Sequence, residues 1–183
     1  MSTIWTIGHS TRSLEELIEV LRRYGIEAVV DVRTVPRSRK NPQFNREELE
    51  AKLPEVGIVY IHSKNLGGLR KASKDSVNMA WENDSFRGYA DYMQTDAFEL
   101  ALGGLIDQAQ SKPTTIMCAE MLPWRCHRSL IADALLIWGF DIVEIFDEAK
   151  SQPHKLTSFA VVSDGKITYP AAEPGAGDLF DNG

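Results

Sequence analysis

The sequence predicts a single α/β domain: a mostly parallel central sheet, flanking helices and a C-terminal hairpin. Three observations point there. The 183 residues suit one domain with a full core. Ala28 to Val32 is apolar without alternation, as in a strand buried on both faces. Short strand-like runs alternate with segments of helical period through short joins, the pattern of right-handed parallel crossovers.

Ile4 to Gly8 reads as the first strand, broken by Gly8-His9-Ser10. Ser13-Leu14-Glu15-Glu16 is a capping box, and Leu14, Leu17, Ile18 and Leu21 then form one apolar stripe. Gly25 closes this first helix. Ala28 to Val32 follows as the second strand. Thr34 to Asn45 is polar, basic and holds Pro36 and Pro42, so it is a loop. Arg46 to Leu53 is a short helix and Val56 to His62 the third strand. Asn65 to Glu82 has no clear period and reads as a long irregular segment. Phe86 to Met93 and Ala97 to Gln110 are helices, Thr114 to Cys118 the fourth strand. A helix expected to open at Arg125 or Cys126 runs to Trp138 and closes at Gly139. Asp141 to Phe146 is the fifth strand, and Asp164-Gly165 marks a hairpin between 159–162 and 166–169. The domain is expected over 1–170, with a flexible acidic tail over 171–183 that carries Glu173, Asp178 and Asp181.

Hydrophobic residues make up 43% and charged residues 25%, ordinary for a soluble globular protein. No apolar run approaches the roughly 20 residues of a membrane span. Met1 to Trp5 lacks the basic and apolar regions of a signal peptide, so a cytoplasmic protein is expected. There, two cysteines serve as thiols, ligands or a transient redox pair rather than a structural disulfide. A net charge of −6 argues against wholesale nucleic-acid affinity. Basic residues nonetheless gather at Arg33, Arg37, Arg39, Lys40 and Arg46, and again at Lys64, Arg70, Lys71 and Lys74. Such patches on an acidic protein suit an anionic small molecule or nucleic acid.

In a parallel sheet the loops after the strands share one edge. Four such loops are rich in polar side chains: His9, Ser10, Thr11 and Arg12; Asp31, Arg33 and Arg37; His62 and Lys64; and the segment from Cys118 through Glu120 to Arg128. The last holds both cysteines with Arg125, Cys126, His127 and Arg128. Helical spacing from Leu130, Ile131, Ala134 and Trp138, the expected buried face, turns Cys126 and His127 inward at a helix start, where free amides favour a thiolate or an anion. Asp31 orients an arginine or histidine, or caps its loop. Tyr89, Tyr92, Trp81 and Phe86 could stack a base, but their helical spacing fits a core. Zinc through Cys118, Cys126, His127 and His9 would need cysteines separated by seven residues, outside the close spacing of a zinc knuckle. No metal or cofactor is assigned.

Trp5 to Arg12, Val30 to Ser38, Asn41-Pro42-Gln43-Phe44, Leu66-Gly67-Gly68, Phe86 to Met93, Met117 to Glu120 and Arg125-Cys126-His127-Arg128 resemble the prokaryotic family named domain of unknown function 488. The resemblance runs to about Pro170 and implies a soluble single-domain α/β protein, with no established activity to carry over. A fainter likeness, through Val29 to Arg33, Thr115 to Cys118 with Arg128-Ser129, and Trp138-Gly139-Phe140, is to rhodanese-type sulfurtransferase domains. Those place an arginine nearer the nucleophilic cysteine than Arg125 or Arg128 stand to Cys118, and hold no second cysteine there.

These residues lead to an expected cysteine-dependent enzyme acting on a phosphate- or sulfur-containing anion. Cys126 is the expected nucleophile and Cys118 a second sulfur. His9 or His127 would move protons. Arg33, Arg37, Arg125 and Arg128 would hold the anion, with Ser10, Asp31 and Glu120 around it. The alternatives are a non-catalytic nucleic-acid or nucleotide-binding module and a Cys/His metal site.

Overall fold

A computed structural model describes residues 2–173. The tail from 174 onward lies outside the described residues. Thirteen elements follow in order: β1 (Thr3–Gly8), α1 (Leu14–Arg23), β2 (Ala28–Asp31), α2 (Arg46–Glu55), β3 (Val59–His62), α3 (Asp84–Tyr92), α4 (Asp96–Ser111), β4 (Thr114–Cys118), α5 (Arg128–Ile137), β5 (Asp141–Ile145), β6 (Ser151–Pro153), β7 (Val161–Ser163) and β8 (Lys166–Thr168). No helix among the described residues is long and apolar enough to cross a membrane.

One sheet of six strands in the order β3-β2-β4-β1-β5-β6 forms the centre. Its first five strands are parallel, and β6 pairs antiparallel with β5. Alternate side chains of each strand feed the two faces. Ile7, Val29, Met117 and Ile145 pack with Leu17, Val20 and Leu21 of α1 and with Leu49 and Leu53 of α2. Ile4, Val30, Ile116 and Ile142 pack with Tyr89 of α3, Phe98 and Leu102 of α4, and Leu130 and Ile131 of α5. Tyr89 thus belongs to the core, and Trp81 and Phe86, stacked on each other, pack against it.

Local signals set the boundaries. Ser13 accepts the Glu16 amide at 3.1 Å and starts α1, and Gly25 at φ +67° ends it. Asp164 and Gly165, both at positive φ, make the two-residue turn of the β7–β8 hairpin. Several expectations needed correction. Trp138, expected on the buried face of the last helix, is 65% exposed, and the third strand opens at Val59 rather than Val56, which caps α2. The last helix opens at Arg128, not at Arg125 or Cys126. Pro123–Arg125 forms a 3-10 turn of its own, and Cys126 is extended at φ −135° and ψ 144°, which breaks the helical run. Strand β6 was not foreseen, because Ser151-Gln152-Pro153 carries no apolar alternation.

What holds β6 is polar. His154 lies between Asp133 of α5 (Nε2 to Oδ1, 2.8 Å) and Glu144 of β5 (Nδ1 to Oε1, 2.6 Å). Gln152 donates to Glu144 at 2.7 Å, and Tyr169 donates to Asp133 at 2.8 Å. Burial opposes a charge on His154, but the bonds and charges of Asp133 and Glu144 outweigh it and push the imidazole up to about 9. A folded pKa above the usual 6.5 gives stability that is complete below pH 6.5 and lost as pH rises through 9. Urea unfolding is therefore expected to show about 2 kcal/mol less stability at pH 10 than at pH 6 from this group. His154→Gln should remove that component. An equal pH response in the two proteins would contradict the ion triad.

Candidate active site

Strand β4 lies between β2 and β1. Its outgoing chain turns toward α5, whereas those of both neighbours turn toward the α1–α2 face. Parting loops at the carboxyl edge open a crevice, the usual ligand position in such sheets. A cavity of about 640 Å³ occupies it. Of the residues singled out above, His9, Ser10, Arg33, Arg37, Cys118, Glu120 and His127 line it. Thr34, Ser38, Asn41 and the Gly68-Leu69 turn complete the wall. Thr34, Ser38, Asn41 and Gly68 lie in stretches that carried the family resemblance, without a site role assigned to them, and Leu69 lies just outside.

Two walls of this cavity carry backbone strain. Ser10 at φ 54° and Leu69 at φ 57° are non-glycine residues in the left-handed region, and both face the cavity. Gly8 answers a different need. A Cβ there would stand 1.9 Å from the Glu120 carbonyl oxygen, so only glycine lets the loop after β4 cross the end of β1.

The first side of the site is built on β2. Asp31 is fully buried and accepts from Arg33 Nε at 2.9 Å and Arg33 Nη2 at 2.6 Å. Tyr60 adds a third donor to Asp31 at 2.6 Å, and the Phe44 carbonyl accepts from Arg33 Nη2 at 2.8 Å. Asp31 lies beneath the cavity and fixes the guanidinium that lines it. Arg33 Nη1 reaches His9 Nε2 at 3.3 Å. His9 Nδ1 donates to the Ser10 carbonyl at 2.8 Å, which leaves Nε2 as the acceptor for Arg33. Burial and then the charge of Arg33 hold His9 down to about 4, against the pull of the Ser10 carbonyl. The ring, held well below neutral pH, stacks on Phe44 with centroids 4.3 Å apart.

The second side is the cysteine loop. Cys118, at the end of β4, lines the cavity, and Cys126 is 5% exposed and does not reach it. Both are free thiols. Their sulfurs and one His127 ring nitrogen all lie within 4.8 Å of one another. Nε2 of His127 donates to the Val32 carbonyl at 2.9 Å, so its Nδ1 lone pair faces Cys126 Sγ at 3.7 Å. Gly68 leaves room for this ring, since a Cβ there would approach Nδ1 to 3.1 Å.

Arg128 is 1% exposed and has no carboxylate within salt-bridge distance among the described residues. Its guanidinium donates to the carbonyls of Glu120 and Met121 (2.8 Å for the latter) and pins the loop. It is therefore engaged with backbone rather than free to hold an anion. Its charge and amide act on Cys126 instead. The Cys118 thiol as donor and then Arg128 outweigh burial and lower Cys126 to about 6. The same hydrogen bond, with burial, pushes Cys118 up.

Arg37 stands on the rim, 72% exposed, 3.6 Å from an equally open Glu47. Arg125 is exposed and lies outside the cavity. His62 and Lys64 open on a separate cavity between β3 and α4. A further cleft gathers Arg70, Lys71, Lys74 and Arg87. Arg70 stacks on Tyr92 at 3.6 Å and Arg87 pairs with Asp84, so two of those four cations are already engaged.

A family model described as domain of unknown function DUF488 matches residues 13–135. Among curated proteins and solved structures, none matches the chain.

Proposed function

The chain belongs to the domain of unknown function DUF488 family, whose match takes in Arg33, Cys118 and Cys126 and begins after His9 and Ser10, and we propose that it is a cysteine-dependent enzyme acting on a small phosphate- or sulfur-containing anion. One observation carries the reading. The Cys118 sulfur stands on the wall of a cavity that also presents the buried Arg33 guanidinium, with a second sulfur within 4.8 Å of it. The match supports the family and leaves the activity open.

In this reading Arg33, Arg37 and Ser10 receive the anion. Cys118 Sγ attacks its electrophilic centre. As the new bond forms, the Cys118 proton passes to the Cys126 thiolate and the leaving group departs with its electron pair. Water then displaces Cys118 from the adduct and gives its proton to the departed group, while the Cys126 proton returns to Cys118. Cys126 is thus a proton acceptor rather than the nucleophile named from sequence. Exposure drives the exchange of roles, since only Cys118 lines the cavity.

Two alkylating probes of similar size test the reading. Iodoacetate is an anion and iodoacetamide is neutral. Iodoacetate is expected to modify Cys118 the faster, mapped by mass spectrometry, with inorganic phosphate slowing it. Arg37→Ala should slow the iodoacetate reaction about threefold, as suits an exposed charge, and leave iodoacetamide unaffected. Faster reaction with the neutral probe, or modification that maps elsewhere, overturns the proposal.

A further inference from the structure

We infer that Cys118, Cys126 and His127 also form a binding site for a thiophilic divalent cation such as zinc, with its fourth position open to the cavity. The inference rests on the same side chains as the reading above, but not on their being reactive.

Three electron-pair donors converge on one point. The two sulfurs and His127 Nδ1 lie within 4.8 Å of one another, and Cys126 Sγ is 3.7 Å from Nδ1. Zinc bonds of about 2.3 Å to sulfur and 2.0 Å to nitrogen put tetrahedral ligand atoms about 3.5–3.8 Å apart. The Cys126–His127 pair already has that spacing, and the other two distances exceed it by at most about an ångström.

The surroundings suit coordination as well. His127 donates its other ring nitrogen to the Val32 carbonyl at 2.9 Å, the outer contact that fixes a ligating tautomer. Two thiolates balance the charge of a divalent ion, and sulfur with imidazole selects zinc over magnesium or calcium. Because Cys118 lines the cavity, the remaining position faces it, where Arg33 and Arg37 favour water, hydroxide or a bound anion. His9 is excluded, since both its ring nitrogens are engaged by Ser10 and Arg33. Sequence spacing pointed away from a site because it judged the two cysteines by their distance along the chain. The third donor is brought in by the extended backbone at Cys126.

An ion held there takes both sulfur lone pairs and silences Cys118 as a nucleophile. The test is titration of chelator-treated, reduced full-length protein with cobalt(II) and zinc. One ion per chain is expected, with thiolate-to-cobalt charge-transfer absorption, and zinc should protect Cys118 from iodoacetate. Cys118→Ala, Cys126→Ala and His127→Ala should each weaken cobalt binding at least about tenfold. Cys118 is only partly buried against the core, and circular dichroism on Cys118→Ala separates lost binding from lost fold. Absence of the charge-transfer band, or binding unaffected by Cys118→Ala, overturns the inference. Alkylation of Cys118 without cobalt binding defeats only the metal site. Cobalt binding with an unreactive metal-free Cys118 defeats only the nucleophile.

Discussion

Cys118→Ser is expected to slow iodoacetate labelling of the cavity by roughly 10³-fold or more, the scale of losing a nucleophile. A serine hydroxyl keeps the shape of the wall and stays protonated, so what disappears is the reactive sulfur. The buried Cys126 should not replace it, being 5% exposed and away from the cavity. Cys126→Ala gives the contrasting result. Labelling should be slower for lack of the proton acceptor, but it should still map to Cys118. The outcome against this assignment is clear: Cys118→Ser protein labelled on Cys126 at the unaltered rate. Circular dichroism on both variants separates lost reactivity from lost fold.

Arg33→Met is expected to destabilise the protein by about 3–5 kcal/mol, the usual effect of breaking a buried ion pair from one side. Asp31 is fully buried and accepts two hydrogen bonds from the Arg33 side chain. Removing the guanidinium leaves a carboxylate with only the Tyr60 hydroxyl and the Arg33 amide as donors. The double variant Asp31→Leu with Arg33→Met should recover part of the loss, since no charge is then stranded. Urea unfolding measures both. A single-variant loss below about 1 kcal/mol would contradict a buried ion pair holding this end of β2. The same substitution frees His9 Nε2 and removes the cation on the cavity floor, so the preference for iodoacetate should fall with it.

These expectations concern side chains that sequence reading found, in roles it could not assign. Parallel strands, the Ser13 cap and the Asp164-Gly165 hairpin were legible because each depends on residues close in the chain. The meeting of the loops after β1, β2 and β4 was also legible, since parallel topology places strand ends on one edge. Strand β6 was not, because it is held by the distant Glu144 and Asp133 rather than by an apolar pattern.

By itself, the sequence determined the fold class, the edge that holds the site and the residue types gathered there. Tertiary structure alone decided what each of them does. Arg33 and Arg128 are the same residue type in the same set of loops. One is aimed at the cavity by Asp31, and the other is turned onto the carbonyls of Glu120 and Met121. Cys118 faces outward and Cys126 inward because a 3-10 turn and an extended residue delay α5 to Arg128. Chain-local periodicity encodes burial and element type. Whether a charged group is free, paired or bonded to backbone depends on partners far along the chain, and these meet only when the sheet assembles.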